Sequence, residues 1–250
     1  MLRFAFALPV CFLFATALGA QTQVVLPDAT GHLTAPAEWT VLQGSSLAAK
    51  QRSSDPPADP ARAIVQAVVE RLQKDQRTDQ HAVLHSVTAD GKLRLLNAWS
   101  VAGTVTSDKL LQAETVASMQ KALADEYAST DTKTTFHDHR TSDLFAIPAL
   151  ALQFTQEGAG MAQVIDHYTV PAGDRIQYFE TMHDASDTAA DAAFAAMLRT
   201  FDGAREGKPD DTTRNMLIGG VAGGIAGMLA GGWWRKRRRA LLAQPAPTTR

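Results

Sequence analysis

The last third of the chain constrains the fold most. Three β-favouring runs, Leu144 to Thr155, Met161 to Val170 and Arg175 to Met182, are separated only by Glu157-Gly158-Ala159-Gly160 and Pro171-Ala172-Gly173-Asp174. A parallel crossover needs a dozen or more residues, so strands joined by turns this short pair antiparallel, as a meander. Upstream, Lys133 to Arg140 reads as a further strand, and residues 81 to 101 as two more, AVLHSVTA and LRLLNAWSV, joined at the hairpin signal Asp90-Gly91.

Helical periodicity fills the intervals. Ser53-Ser54-Asp55-Pro56-Pro57 marks a loop, and Asp59-Pro60 an N-cap with proline at the first helical position. Ile64, Val65, Val68, Val69 and Leu72 then recur at helical spacing to about Gln76. A second helix is expected from Ser107 as N-cap, carrying Leu110, Leu111, Val116, Met119 and Leu123 toward Tyr127. A closing helix begins near Asp187 and places Ala193, Phe194, Met197, Leu198 and Phe201 on one side. The expected class is α+β, an antiparallel β-sheet with helices packed on it, and not a doubly wound nucleotide fold.

The two ends differ from this middle. All 26 acidic residues of the 250-residue chain lie between 21 and 214, where 17 Lys and Arg leave a net charge of 17 − 26 = −9. Phosphate-backbone binding needs clustered Lys and Arg, so nucleic acid is not an expected partner. Residues 1–20, with Arg3, an apolar run from Phe4 to Leu18 and the small residues Ala17, Gly19 and Ala20, read as a signal peptide cleaved after Gly19 or Ala20. The single cysteine, Cys11, falls within that segment. The mature protein is therefore expected to have no disulfide, thiol nucleophile or thiolate metal site, and to depend on its hydrophobic core.

Residues 215–234 are uncharged over 20 positions, about 30 Å of helix, the thickness of a bilayer's hydrocarbon core. Trp233 and Trp234 suit an interfacial anchor, and Arg235, Lys236 and Arg237 open a basic run that places the C-terminus in the cytoplasm. The expected organisation is a signal peptide (1–20), an extracytoplasmic domain (21–203), a stalk (204–214), a glycine-rich transmembrane helix (215–234) and a basic tail (235–250). The location is the cell membrane, with the domain periplasmic in a Gram-negative cell. Gly219, Gly223, Gly227 and Gly231 recur every four residues on one helix face, the small-residue groove that lets membrane helices approach closely. Expected partners are membrane lipid and, through this face, a second copy or another membrane protein. Processing at the span is the minority alternative.

Pro36-Ala37-Glu38-Trp39, two hairpin-and-helix units, a three-strand meander and a helix finishing Met197-Leu198-Arg199-Thr200-Phe201 together form an order of elements that resembles the PsbP-like α/β/α sandwich. That superfamily includes the extrinsic PsbP protein of photosystem II and the periplasmic lipoprotein DcrB. The resemblance covers residues 24 to 203 and implies an exported accessory or binding domain without a catalytic apparatus. The chain departs from the lipoprotein members in having a C-terminal span where they use an acylated cysteine. The resemblance carries over no functional residue.

Candidate chemistry is sparse. His137 and His139 alternate in the strand expected at 133–140, so both point to one face and could ligate zinc or another divalent metal, with His167 or His183 as a third ligand. His81 and His85, about 13 Å apart in a strand, are too distant to share a metal and read as surface or sheet residues. Ser118-Met119-Gln120-Lys121 matches S-x-x-K, but the remaining acyl-enzyme motifs are missing or out of order, so it reads as helix surface. There is no G-x-S-x-G, P-loop, G-x-G-x-x-G or H-E-x-x-H, and no Asp/Glu pair is singled out for glycoside hydrolysis. Trp39, Trp99 and Tyr168 could line a ligand groove, although such aromatics more often pack a core. Asp166 beside His167, and Asp184 beside His183, read as exposed polar strand-end positions. The functional expectation is a membrane-anchored binding module with no cofactor and no catalytic residue. The alternative is a metal-binding or metal-dependent hydrolytic protein using His137 and His139.

Overall fold

The computed structural model describes residues 21–49, 60–74, 76–127, 133–137, 139–158 and 161–208. The segments expected to be the signal peptide, most of the stalk and the transmembrane helix lie outside the described residues, as do the loop expected at 53–57, Gly219, Gly223, Gly227 and Gly231, and Trp233 to Arg237. Among the described residues no helix is long and apolar enough to cross a membrane.

The chain opens with a hairpin of β1 (Thr22–Val25) and β2 (His32–Ala35) around a 3-10 turn at Pro27–Ala29. Strand β3 (Thr40–Gln43), the single turn α1 (Ser45–Ala48) and helix α2 (Pro60–Lys74) follow. The hairpin β4 (His81–Val87) and β5 (Leu93–Ala102) leads into α3 (Ser107–Leu110) and α4 (Ala113–Tyr127). The short strands β6 (Lys133–Phe136) and β7 (Arg140–Ser142) precede the long meander β8 (Ala149–Gly158), β9 (Met161–Ala172) and β10 (Arg175–Asp184). Helix α5 (Ala190–Leu198) closes the domain.

Among the described residues the main sheet has eight strands in the order β3-β4-β5-β10-β9-β8-β6, with β7 also paired to β8, and every named pair is antiparallel. The expected α+β class and meander are present. Several boundaries differ. The strand expected from Leu144 begins at Ala149, and the helix expected from Ser107 to Tyr127 is split into α3 and α4. The strand expected over 133–140 stops at Phe136 and resumes at Arg140, so His137 and His139 lie between strands. The cap of the helix expected at Ser107 is Thr106, whose hydroxyl accepts from the Lys109 amide at 3.3 Å.

Both faces of the sheet are covered, which is why β10 is buried from Ile176 to His183. One face packs Val83, Leu95, Trp99, Leu152, Phe154 and Tyr178 against Val65, Val68 and Leu72 of α2 and Met119, Leu123 and Tyr127 of α4. The other packs Leu84, Leu96, Ala98, Ala151, Tyr168 and Phe179 against α5 and the β1–β2 hairpin, through Leu26, Leu33, Trp39, Phe194 and Phe201. Trp39 and Trp99, considered above as groove residues, are core groups on opposite faces, each under a tenth exposed.

The hairpin is pinned by polar hooks. Asp28, at a left-handed φ of 59°, accepts from Ser100 Oγ at 2.9 Å and from the Arg175 guanidinium. The Thr30 hydroxyl donates to Gln177 Oε1 at 2.6 Å, and Gln177 Nε2 donates to the Trp99 and Tyr178 carbonyls at 2.9 Å each, so this buried amide is satisfied at both ends. After α5 the chain crosses back over the sheet as a strap. Gly203 passes so close to the hairpin that a Cβ there would meet the Thr30 carbonyl oxygen at 2.0 Å. Arg205 then exchanges backbone bonds with Pro171 and Gly173 at 3.0 Å each, and the Gly207 amide donates to the Val105 carbonyl at 3.1 Å.

Candidate ligand cleft

Antiparallel pairing aligns side chains across the sheet in rungs, and a rung shares one face. On the α5 face one rung runs Arg140, Ala151, Tyr168, Phe179, and the next runs Gln153, Asp166, Thr181. Ala151, the small residue between Arg140 and Tyr168, leaves the guanidinium room to turn toward the second rung. Arg140 Nη2 donates to Asp166 Oδ1 at 3.0 Å, and Gln153 Nε2 donates to the same oxygen at 3.1 Å. Arg140 also bonds Tyr168.

Arg140, Asp166, Tyr168 and Thr181 floor a cleft of about 270 Å³. It exists because β7 lasts only three residues before the chain leaves the sheet at Asp143, so that loop and α5 stand apart over the β9–β10 floor. Thr141, Asp143 and Leu144 form one wall, and Asp191, Phe194 and Ala195 of α5 form the other. Behind the walls, Phe145 stacks on Phe179 at 5.7 Å, and Trp39 backs Phe194 edge-on at 5.5 Å. The start of α5 is tied to the sheet by Arg94, whose Nε and Nη2 donate to the two oxygens of Asp187 at 2.7 and 2.9 Å. His183 adds a second tie, with Nδ1 2.9 Å from the Asp184 carbonyl and Nε2 3.1 Å from Asp191 Oδ1.

Asp166 is therefore 2% exposed, not the exposed strand-end residue its sequence context suggested. Burial pushes its carboxyl above the ordinary range, and the Arg140 guanidinium offsets only part of that. The Tyr168 phenol is pushed up as well, mainly by burial, with the Asp166 charge adding to it.

The opposite face holds a second polar group of residues, enclosed under α2 and α4. Its rungs are His81, Trp99, Tyr178, Thr169 and then Val83, Asn97, Glu180, His167. Trp99 stacks on His81 at 5.6 Å and on Tyr178 at 5.3 Å, and meets His167 edge-on at 5.7 Å. The Tyr127 hydroxyl donates to Glu180 Oε2 at 2.6 Å, and His167 Nδ1 stands 3.6 Å from that oxygen, beyond hydrogen-bond reach. Among the described residues neither ring nitrogen of His167 has a hydrogen-bond partner, nor does Asn97 Nδ2. His81 Nδ1 lies 2.9 Å from Asn97 Oδ1, and burial lowers the His81 pKa to about 4, so the ring is neutral near pH 7. His81, read as a surface or sheet residue, and His167, read as an exposed strand end, are thus 2% and 0% exposed.

The proposed metal pair stands elsewhere. His137 is exposed, with Nε2 2.7 Å from Thr155 Oγ1, and His139 is exposed; Asp138 lies outside the described residues. Of the third ligands considered, His167 is enclosed beneath α2 and α4 and His183 is bonded to Asp191. Among the described residues no three His, Cys, Asp or Glu side chains gather as a metal would require. Ser118 sits on α4 with its hydroxyl donating to the Glu114 carbonyl at 2.8 Å.

Both polar clusters escaped the reading of the sequence because they are products of register. Asp166, Thr181 and Arg140 come from three strands, and so do Asn97, Glu180 and His167. The signal available was polar residues in strands buried on both faces, where a near-continuous apolar run is the norm.

No family profile matches the chain, and no curated protein does. Among solved structures it is similar to cyanobacterial PsbP (CyanoP) from Synechocystis sp. PCC 6803, at 10% identity and a TM-score of 0.41 over 76% of this chain and 95% of that one. It is also similar to LpqN, involved in cell envelope biogenesis of Mycobacterium tuberculosis, at 12% identity and a TM-score of 0.31 over 73% and 82% of the two chains. A protein from Bacteroides thetaiotaomicron VPI-5482 matches at 7% identity and a TM-score of 0.41 over 76% of this chain, which spans 50% of that one.

Proposed function

We propose that this chain is an extracytoplasmic binding and accessory module, held at the membrane by its C-terminal end and presenting the α5-side cleft to a ligand. The organisation is the one expected from the sequence: signal peptide 1–20, domain 21–203, stalk 204–214, transmembrane helix 215–234 and basic cytoplasmic tail 235–250. The cleft carries the reading. It is concave, polar at its floor and aromatic at its side, and is built on strands and a doubly tied helix, a pre-formed arrangement suited to recognition. Arg140 and Gln153 converge on one oxygen of Asp166, which supports a shaped receptor surface over a proton-transfer centre.

Protease added to intact spheroplasts tests the address. The domain is expected to be digested while a fragment containing 215–250 stays with the membrane, and a protected domain would overturn the assignment. Self-association through Gly219, Gly223, Gly227 and Gly231 belongs to the same proposal. Crosslinked multimers are expected to disappear when Gly223 and Gly227 become Leu, and multimers that survive the change refute it.

A further inference from the structure

We infer that the α2/α4 face holds internal water, hydrogen-bonded to the His167 ring and the Thr169 hydroxyl on one side of Glu180 and to Asn97 Nδ2 on the other. The inference is independent of the α5-side cleft.

Asn97 lies on β5 and His167 and Thr169 on β9, and each is 0% exposed. Four of their polar atoms have no hydrogen-bond partner among the described residues: Asn97 Nδ2, both ring nitrogens of His167, and Thr169 Oγ1. Asn97 and His167 flank Glu180 in one rung, and Thr169 follows His167 by two residues, so all four atoms belong to two adjacent rungs of one face. Buried polar atoms in folded proteins are nearly always paired, and four gathered this closely call for a shared kind of partner.

The described side chains around them do not supply it. The two rungs end in Val83, Leu150 and Leu152, and the helices above bring aliphatic groups and Tyr127, whose hydroxyl is given to Glu180. His167 Nδ1 stands 3.6 Å from Glu180 Oε2, too far for a hydrogen bond. Turning the Asn97 amide over does not help, because His81 Nδ1 already meets Oδ1 at 2.9 Å and the exchange would leave Oδ1 unpaired in place of Nδ2.

The chemistry of the four atoms selects the partner. An amide nitrogen only donates, a neutral imidazole donates from one nitrogen and accepts at the other, and a hydroxyl does both. The partner must therefore accept and donate, and be small enough to lie among side chains without exposed surface. An anion would stand against the Glu180 carboxylate, and among the described residues no three His, Cys, Asp or Glu side chains gather as a metal would require. Water meets both conditions, enters by local opening, and when buried makes about three hydrogen bonds to groups of this kind. Neighbouring strands are about 4.8 Å apart, which puts the Asn97 and His167 backbones about 10 Å apart. One water does not span that, hence a position on each side of Glu180.

Two measurements on the full-length protein in mild detergent test the inference. Thr169→Val replaces the hydroxyl by a methyl of nearly the same size. If the hydroxyl were unpaired, the change would remove a desolvated polar group and raise β-propensity, so the urea midpoint would rise. With the hydroxyl bonded to water, the midpoint is expected to fall by about 0.5 M at unchanged m-value. A midpoint that rises or stays where it was overturns the inference. The second measurement is a crystal structure that resolves ordered solvent. Water is expected within about 3.2 Å of a His167 ring nitrogen, of Thr169 Oγ1 and of Asn97 Nδ2. Protein atoms in those places, or no solvent density there, overturn the inference even if the midpoint of Thr169→Val falls.

Discussion

Asp166 and Glu180 lie on neighbouring strands, one residue out of register and so on opposite faces of one sheet, and the two faces use their carboxylates differently. Glu180 is sealed beneath α4 and bonded by Tyr127. Asp166 is nearly as buried, but Arg140, which bonds it, is 56% exposed, so the pair communicates with solvent. A polar group that no ligand can reach affects only stability and the uniqueness of packing. One at the floor of a cleft also shapes what can enter. The contrast predicts that mutations on the α2/α4 face act on stability, and mutations on the α5 face act on recognition.

The largest expected effect is at the centre of the enclosed face. Trp99→Ala removes a ring stacked on both His81 and Tyr178 and is expected to destabilise the domain by about 4 kcal/mol, read from urea unfolding. A loss under about 1 kcal/mol would mean that this face is loosely packed and the contrast is wrong.

Acid titration probes the same face. The His81 pKa is about 4 in the folded protein against 6.5 for the free side chain, so the unfolded chain binds the extra proton first as pH falls. Stability should therefore drop across pH 6.5 to 4 by about 3 kcal/mol from this residue. The slope should flatten in His81→Gln, and an unchanged slope would place the pH dependence elsewhere. Asp166 works in the same pH direction as an ordinary acid raised by burial would, with the opposite sign to His81: its contribution is present at low pH and is lost as pH rises through its raised value. Comparing Asp166→Asn with His81→Gln over one titration separates the two faces.

Tyr127→Phe should cost about 2 kcal/mol, because it removes a 2.6 Å bond to a buried carboxylate. Glu180→Gln in the Tyr127→Phe background should recover part of that loss, a coupling measurable as a double-mutant cycle. The smallest effect belongs to the cleft walls. Asp143→Asn and Asp191→Asn are each expected to change stability by no more than about 0.5 kcal/mol, and a larger loss would make them structural groups instead of recognition groups.

Much of the scaffold was legible in the sequence, for local reasons. Asp90-Gly91 and Gly173-Asp174 mark two hairpins directly, and the spacing of Val65, Val68 and Leu72 or of Val116, Met119 and Leu123 marks the helix faces. The interruption between β6 and β7 was not legible, because nothing in Phe136-His137-Asp138-His139-Arg140 breaks a strand pattern. The site was hidden for a different reason. Asp166 and His167 are adjacent and hydrophilic enough to read as surface, and only the strands paired on either side, with helices over both faces, bury them on opposite sides of the sheet. Burial of a strand residue is a property of its neighbours, and those neighbours lie more than ten positions away in the chain.

The strap at Gly203 to Gly207 has a mechanical consequence. A pull on the chain beyond Lys208 does not reach α5 first, because the backbone bonds of Arg205 to Pro171 and Gly173 and of Gly207 to Val105 lie in its path. Tension is delivered to the turn joining β9 and β10, near the middle of the sheet, where each strand is bonded on both sides. The helix that walls the cleft is shielded from that load, so a domain tugged from below keeps its opening in shape.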